Sequence, residues 1–62
     1  MKLEELLKHV PDTQTITLVE RGNVLVLNEC LKNAHTDMYK GKTVGLIRSV
    51  DNVMMIKVYD RR

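Results

Sequence analysis

The chain is short of aromatic residues and has no long apolar run. Phe and Trp are absent, and Tyr39 and Tyr59 are the only aromatic side chains among 62 residues. No segment approaches the roughly 18 consecutive apolar residues that a membrane span needs. The first ten residues include Glu4 and Glu5 and lack the apolar core of a secretory signal. These absences predict a soluble protein without membrane contact.

Cysteine is nearly absent as well. Cys30 is the only one, so the chain has no internal disulfide, and a small secreted domain would be expected to carry several. The lone thiol therefore favours a reducing, cytoplasmic compartment. Cys30, His9 and His35 lack the paired spacing of a zinc site. A domain of this length buries only about 60% of the surface that its unfolded chain exposes, so its stability is marginal. Because the chain has neither an internal disulfide nor the spacing of a zinc site, self-association is the remaining way to stabilise it.

No catalytic pattern is present. Nucleophilic catalysis needs a base beside the nucleophile, and on a helix the five-residue step from Cys30 to His35 would point the two apart. Gly22, Gly41 and Gly45 are too scattered for a phosphate-binding or dinucleotide-binding loop. We therefore predict a non-enzymatic protein with no catalytic residues, no cofactor site and no metal site.

The N-terminal segment has the apolar spacing of a helix. Its apolar residues recur at intervals of three and four positions and form one face, and Pro11 ends the pattern. Members of this face are Leu3, Leu6, Leu7 and Val10.

Two β-hairpins are expected further along the chain. Residues 15–19 and 24–27 are rich in β-branched and aliphatic side chains, with Gly22 and Asn23 as the turn. Residues 42–50 and 53–60 form the second pair around Asp51 and Asn52.

The segment between the hairpins has two readings. In one, Asn28 caps a helix over residues 29–40 that ends at Gly41. In the other, poor helix formers limit the segment to a short helical turn capped by Thr36 or Asp37. Together the elements predict a single α+β domain over residues 1–62, with a two-layer antiparallel sheet and helices on one face. A small SH3-like or Sm-like barrel is the alternative.

Residues 24–27 and 53–56 are apolar on both faces of their strands. In a sheet with one solvent-exposed face, apolar and polar residues should instead alternate along each strand. If Leu25, Leu27 and the even-numbered residues 54–58 face the helices, the remaining apolar residues point the other way. So large an exposed patch is unusual for a monomer, and we predict that another copy of the chain covers it. The predicted oligomer interface consists of Val24, Val26, Val53, Met55 and Tyr59.

Charge is unevenly distributed along the chain. Residues 1–31 hold three basic and five acidic residues, and residues 32–62 hold seven basic and three acidic ones. The basic half suggests a competing function, nucleic-acid binding through phosphate contacts. The scarcity of aromatic side chains for base stacking counts against it. The residues that would make these contacts are Lys40, Lys42, Arg48, Lys57, Arg61 and Arg62.

The chain starts with the amphipathic pattern L-x-x-L-L, has a Pro-Asp step at Pro11 and Asp12, and ends in a hairpin close to S-x-D-N-V-L-x-I. In these motifs it resembles small uncharacterised proteins encoded by phages and prophages of Gram-positive bacteria. Met54 stands where leucine is usual, and residues 30–42 are not covered. The matching hairpin residues are Ser49, Asp51, Asn52, Val53 and Ile56.

The resemblance implies an accessory protein of a mobile element in the bacterial host cytoplasm. Such a protein would bind a host or phage partner as a homo-oligomer. The shared motifs are structural, so they assign no active-site residue to this chain.

Overall fold

The computed structural model describes residues 1–60 as a small α+β fold with one short helix and a four-stranded sheet. The predicted fold class is confirmed at this level. The elements are helix α1 (Leu3–Leu7), strands β1 (Thr15–Glu20), β2 (Asn23–Cys30), β3 (Thr43–Val50) and β4 (Val53–Tyr59), and two 3₁₀ turns, Leu31–Asn33 and Asp37–Tyr39.

The sheet is mixed, whereas the sequence predicted an antiparallel one. Its strand order is β2-β1-β4-β3, with antiparallel outer pairs and a parallel central pair of β1 and β4. Each hairpin thus contributes one inner and one edge strand. Within residues 1–60, β2 and β3 are the two edges, so the sheet stays open and the barrel alternative is wrong.

Helix α1 is shorter than the apolar pattern suggested. It starts after Lys2, whose backbone N–H donates to the Glu5 side chain at 2.8 Å, and it ends at Leu7. The chain then makes a turn in which the Val10 N–H donates to the Leu7 carbonyl, so Val10 still reaches the core. The predicted apolar face is therefore formed by one helical turn and the loop after it.

Both hairpins close with two-residue turns whose central residues have positive φ. The first turn is formed by Arg21 (φ 50°) and Gly22 (φ 80°), one position earlier than predicted. The second is formed by Asp51 (φ 51°) and Asn52 (φ 67°), as predicted. Positive φ at both positions matches the twist of the flanking strands, which is why such turns favour Gly, Asn and Asp.

Two irregularities in the pairing of β1 with β2 change which side chains face the core. Leu18 pairs with Val26 and Val19 pairs with Val24, so Leu25 is an extra residue in β2. A bulge puts two residues opposite one and breaks the alternation of sides. Leu25 and Val26 consequently both contact the core, and Val26 is only 5% exposed. The prediction that Val26 points away from the helix is wrong.

The second irregularity lies at Asn28, which has a φ of 44°. Its backbone N–H donates to the Thr17 hydroxyl at 3.0 Å, and that hydroxyl donates to the Asn28 side-chain oxygen at 2.7 Å. Leu27 lies beside this bulge and is exposed, although the sequence placed it on the helix side. Asn28 therefore belongs to a strand irregularity and caps no helix.

The segment between the hairpins forms only the two 3₁₀ turns, so the full helix over residues 29–40 is wrong and the short-turn alternative is right. The Leu31 N–H donates to the Gln14 carbonyl at 2.9 Å and the Lys32 N–H to the Asp12 carbonyl at 3.0 Å. These bonds extend the β1–β2 pairing into the loop. Thr36 precedes the second turn, without a hydrogen bond from its side chain to that turn.

The core lies on one side of the sheet. It combines the two inner strands and Val26 of β2 with the helix and the loop that follows it, and partly buried residues such as Leu6, Leu31 and Tyr39 pack around it. Its buried members are Leu3, Val10, Ile16, Leu18, Val26, Ile56 and Val58.

The bulge leads to a test in which neighbouring valines behave differently. Val26→Ala removes buried methyl groups and should lower the free energy of unfolding by about 2 kcal/mol. Val24→Ala, at a position that is 54% exposed, should change it by less than about 0.5 kcal/mol. Urea unfolding measures both, at a protein concentration low enough that further dilution does not change the transition, so that loss of self-association does not contribute. Equal losses for the two variants would contradict the observed register.

Candidate interaction surface

The side of the sheet away from α1 carries most of the exposed apolar side chains. Paired residues on neighbouring strands point to the same side, so Val53, Met55 and Lys57 of β4 share a side with their partners on β1 and β3. We call this side the far face. Its apolar residues are Val19, Val24, Leu27, Leu46, Val50, Val53, Met55 and Tyr59.

Two adjoining depressions cross the far face. The larger, of about 410 Å³, extends from Val24 and Leu27 on β2 to Val50 on β3. The smaller, of about 110 Å³, lies between Leu46, Arg48 and Lys57. Val19 and Met55 line both depressions. The far face is therefore a continuous, mainly apolar surface that reaches all four strands.

Tyr59 lies at one end of this surface because of Gly45. A Cβ atom at Gly45 would lie 3.1 Å from Cε1 of the Tyr59 ring, so the ring rests directly on the glycine. Gly45 sits where the register between β3 and β4 shifts, between Val44 and Leu46. The absence of a side chain here lets the aromatic ring lie against the strand.

Within residues 1–60, Arg48 and Lys57 are the two cations of the far face. Arg48 pairs with Met55 and Lys57 with Leu46, which makes the two cations diagonal neighbours on adjacent strands. Diagonal neighbours lie about 7–8 Å apart, close enough for long side chains to approach one another. Neither cation forms an ion pair with any residue in the range 1–60.

The other predicted phosphate-binding residues do not join them. Lys40 pairs with Asp37 at 3.1 Å beside the second 3₁₀ turn, and Lys42 is held by two carboxylates. Arg61 and Arg62 lie outside the described residues. Of the predicted basic residues within the described part of the chain, Arg48 and Lys57 are therefore the two that lie together on the sheet.

Lys42 is the centre of an ionic cluster at the end of the sheet. Its Nζ donates to Glu20 at 3.1 Å and to Asp60 at 2.6 Å, and its side chain and that of Glu20 are only 17% and 18% exposed. Glu20 ends β1, Lys42 directly precedes β3, and Asp60 directly follows β4. The hydrogen bonds that Lys42 donates to Asp60 and Glu20 raise the pKa of Lys42 above its ordinary value.

The residues with catalytic or metal-binding potential stay apart. The Cys30 thiol donates a hydrogen bond to the Asp12 carbonyl at 3.2 Å, and His9 and His35 are exposed. Within residues 1–60, no three His, Cys, Asp or Glu side chains are grouped closely enough to hold a metal ion.

A third hollow, of about 520 Å³, lies between α1 and the 3₁₀ turns. Side chains of both signs line it, including Glu4 and Asp37 against Lys8, Lys32 and Lys40. Because the opposite charges are mixed, the hollow presents no single sign to a ligand.

Four of the five residues predicted for the oligomer interface lie on the far face: Val24, Val53, Met55 and Tyr59. The fifth, Val26, is in the core. The interface predicted from the sequence omits four apolar residues of the far face: Val19, Leu27, Leu46 and Val50. Alternation along residues 42–50 was sufficient to find Leu46 and Val50, whereas Leu27 required knowledge of the bulge.

A scan against protein-family models, a search of curated proteins and a search of solved structures each found no match to this chain. The resemblance to phage-encoded proteins therefore stays a prediction. None of the helical segments within residues 1–60 has the length and hydropathy of a membrane span.

The ionic cluster predicts a specific alkaline weakening of the fold. A lysine whose pKa is raised by folding stabilises the native state while it is protonated in both states, and this contribution is lost as the pH rises through the folded-state pKa. The loss therefore begins above about pH 10, the ordinary range of lysine. The stability difference between wild type and Lys42→Met should shrink over this window in chemical denaturation. A difference that is independent of pH would contradict the assignment.

Proposed function

We propose that this chain is a non-enzymatic interaction protein that acts as a homo-oligomer, with the far face as its binding surface. The supporting observation is that apolar residues from all four strands line one continuous surface on the far face. The proposal treats the helix and the sheet as two layers, which leaves the far face as the open side of the sheet.

The far face has the composition of a contact between proteins. Contiguous apolar patches on soluble monomers are normally small, and a larger one marks an interaction site. Its residues are mainly aliphatic, with one methionine and one tyrosine at 49% exposure, and both of these types are enriched at interfaces. A second copy supplies the same apolar surface at the same concentration, so self-association is the simplest way to cover it.

The biological setting of the proposal comes from the sequence. The resemblance to phage and prophage proteins supports an accessory role in a bacterial host cell, and the lone Cys30 is consistent with its reducing cytoplasm. In this setting the assembled protein binds a host or phage protein.

Met55→Glu provides the test of the far face. Met55 lines both depressions, so a carboxylate there would be buried in an apolar contact at high cost. We expect wild type to sediment as an oligomer at micromolar concentration. Met55→Glu should sediment as a smaller species, with a dissociation constant raised by at least about tenfold.

The control for this experiment is Met38→Glu, at a residue that is 76% exposed and lies on the second 3₁₀ turn. It introduces the same charge and should leave the oligomer unchanged. Circular dichroism verifies that both variants are folded. A folded wild-type chain that is monomeric at all concentrations would refute self-association.

Binding of single-stranded nucleic acid is the second candidate function, because Arg48, Lys57 and Tyr59 share the far face. Such sites combine cations for the phosphates with an aromatic ring for base stacking. The candidate predicts oligonucleotide binding that weakens steeply with added salt, and a clear loss in Arg48→Gln and Lys57→Gln. Fluorescence anisotropy at low salt measures both. The absence of binding there would remove this candidate.

A further inference from the structure

Edge strand β3 is exposed on both of its sides. Leu46 and Val50 extend onto the far face, while Ile47 points to the core side opposite Ile56 and is still 44% exposed. From Gly45 to the end of the strand, every residue is exposed. A partner that covered only the far face would leave Ile47 exposed to water. A contact along the edge of β3 would bury side chains on both of its sides.

The backbone at this edge is covered only at its start. The Leu3 N–H donates to the Lys42 carbonyl and the Val44 N–H donates to the Met1 carbonyl, both at 2.8 Å. Beyond Val44, no other strand among residues 1–60 pairs with this edge. A free edge of this kind is a template for pairing with another chain.

The tight turn between β3 and β4 shows which amides point outward. In a two-residue hairpin, the residues that flank the turn exchange both backbone hydrogen bonds, so Val50 and Val53 form such a pair. Hydrogen-bonded pairs alternate with non-bonded pairs along the strands. The N–H and carbonyl groups of Ser49 and Ile47 therefore face the free edge.

The two edges of the sheet differ in how well they are protected. Edge strand β2 contains two register irregularities along its length, at Leu25 and at Asn28, whereas β3 contains one, at Gly45 near its start. Bulges hinder the pairing of an edge with another strand. Residues 46–50 of β3 are regularly paired with β4, contain no proline and carry a single charge, Arg48. Strand β3 thus lacks most of the features by which edge strands avoid pairing.

We propose that β3 pairs with β3 of a second copy, antiparallel, so that the two sheets join into one of eight strands. Pairing of equivalent edges around a two-fold axis closes the assembly, whereas pairing of β3 with β2 of another copy would continue into a filament. The proposal rests on the self-association put forward above and adds a second contact, separate from the far face.

Charge selects the register of the joined strands. An axis at Arg48 would place two arginines directly opposite each other, which is unfavourable. An axis at Ile47 places Ile47 opposite Ile47 of the partner subunit and Arg48 beside Leu46 of the partner subunit. The outward amides of Ile47 then bond across the axis, and the paired stretch ends at Gly45, where the N-terminal segment covers the edge. The far faces of both copies become one wider apolar surface.

Proline at Ser49 tests this contact. The Ser49 N–H points away from β4, so Ser49→Pro leaves the internal pairing intact while it removes one edge hydrogen bond from each copy. The test is made in a Met55→Glu background, in which the far-face contact is broken. There we expect a species of twice the 7.2 kDa monomer mass. Adding Ser49→Pro should raise its dissociation constant by at least about tenfold, and Ser49→Ala should not.

A second variant and a second measurement guard against misfolding. Ile47→Lys places a charge at the edge and should dissociate the same dimer while circular dichroism stays that of a folded chain. Amide hydrogen exchange should show protection of Ile47 and Ser49 that increases with protein concentration, in contrast to β2.

The outcomes separate the two contacts. If Met55→Glu alone is monomeric, the edge contact is refuted and the far-face contact stands. If Met55→Glu has the size of wild type and Ser49→Pro dissociates it, the edge contact stands and the far-face contact is refuted.

Discussion

The parallel pairing of β1 with β4 holds the molecule together. Each hairpin is a local structure, and two-stranded hairpins are marginally stable in water by themselves. The central pair places Ile16 beside Met54 and Leu18 beside Ile56. Residues of α1 and of the loop after it pack against these side chains. Because β1 and β4 occupy the centre, β2 and β3 become the edges.

Polar contacts reinforce this junction at both ends. The Gln14 amide donates to carbonyls of Thr15 and Asn52, which ties the start of β1 to the second turn. At the opposite end, Lys42 connects Glu20 with Asp60. Side-chain contacts therefore connect the two hairpins at both ends of the β1–β4 pair.

A core on one side only has a direct consequence for the protein surface. Within residues 1–60 the chain supplies one helix and two 3₁₀ turns, and its buried core residues pack together with Leu3 of α1. The far face and the edge of β3 are therefore left with exposed aliphatic side chains. The proposed assembly would give both surfaces a partner of matching chemistry.

Much of the fold was readable in the sequence. The leucine spacing before Pro11, the β-branched runs and the second turn at Asp51 and Asn52 are local signals, and local structure follows from them because they depend on side-chain periodicity and backbone preference. The same signals placed Val24, Val53 and Met55 on one side of the sheet.

The remaining features depended on tertiary contacts. The parallel pairing of β1 with β4 joins residues that are far apart in the chain, and no local pattern encodes it. The adjoining hydrogen bond from Gln14 to Asn52 spans 38 positions. Val26 and Leu27 exchanged sides because bulges at Leu25 and Asn28 break the two-residue period. Lys42 was removed from the basic surface by Glu20 and Asp60, which only the assembled sheet brings near. The sequence alone determined the four strand segments and the N-terminal helical turn, and it left the segment between the hairpins open. The tertiary structure decided which side each residue faces, because that depends on register between distant strands.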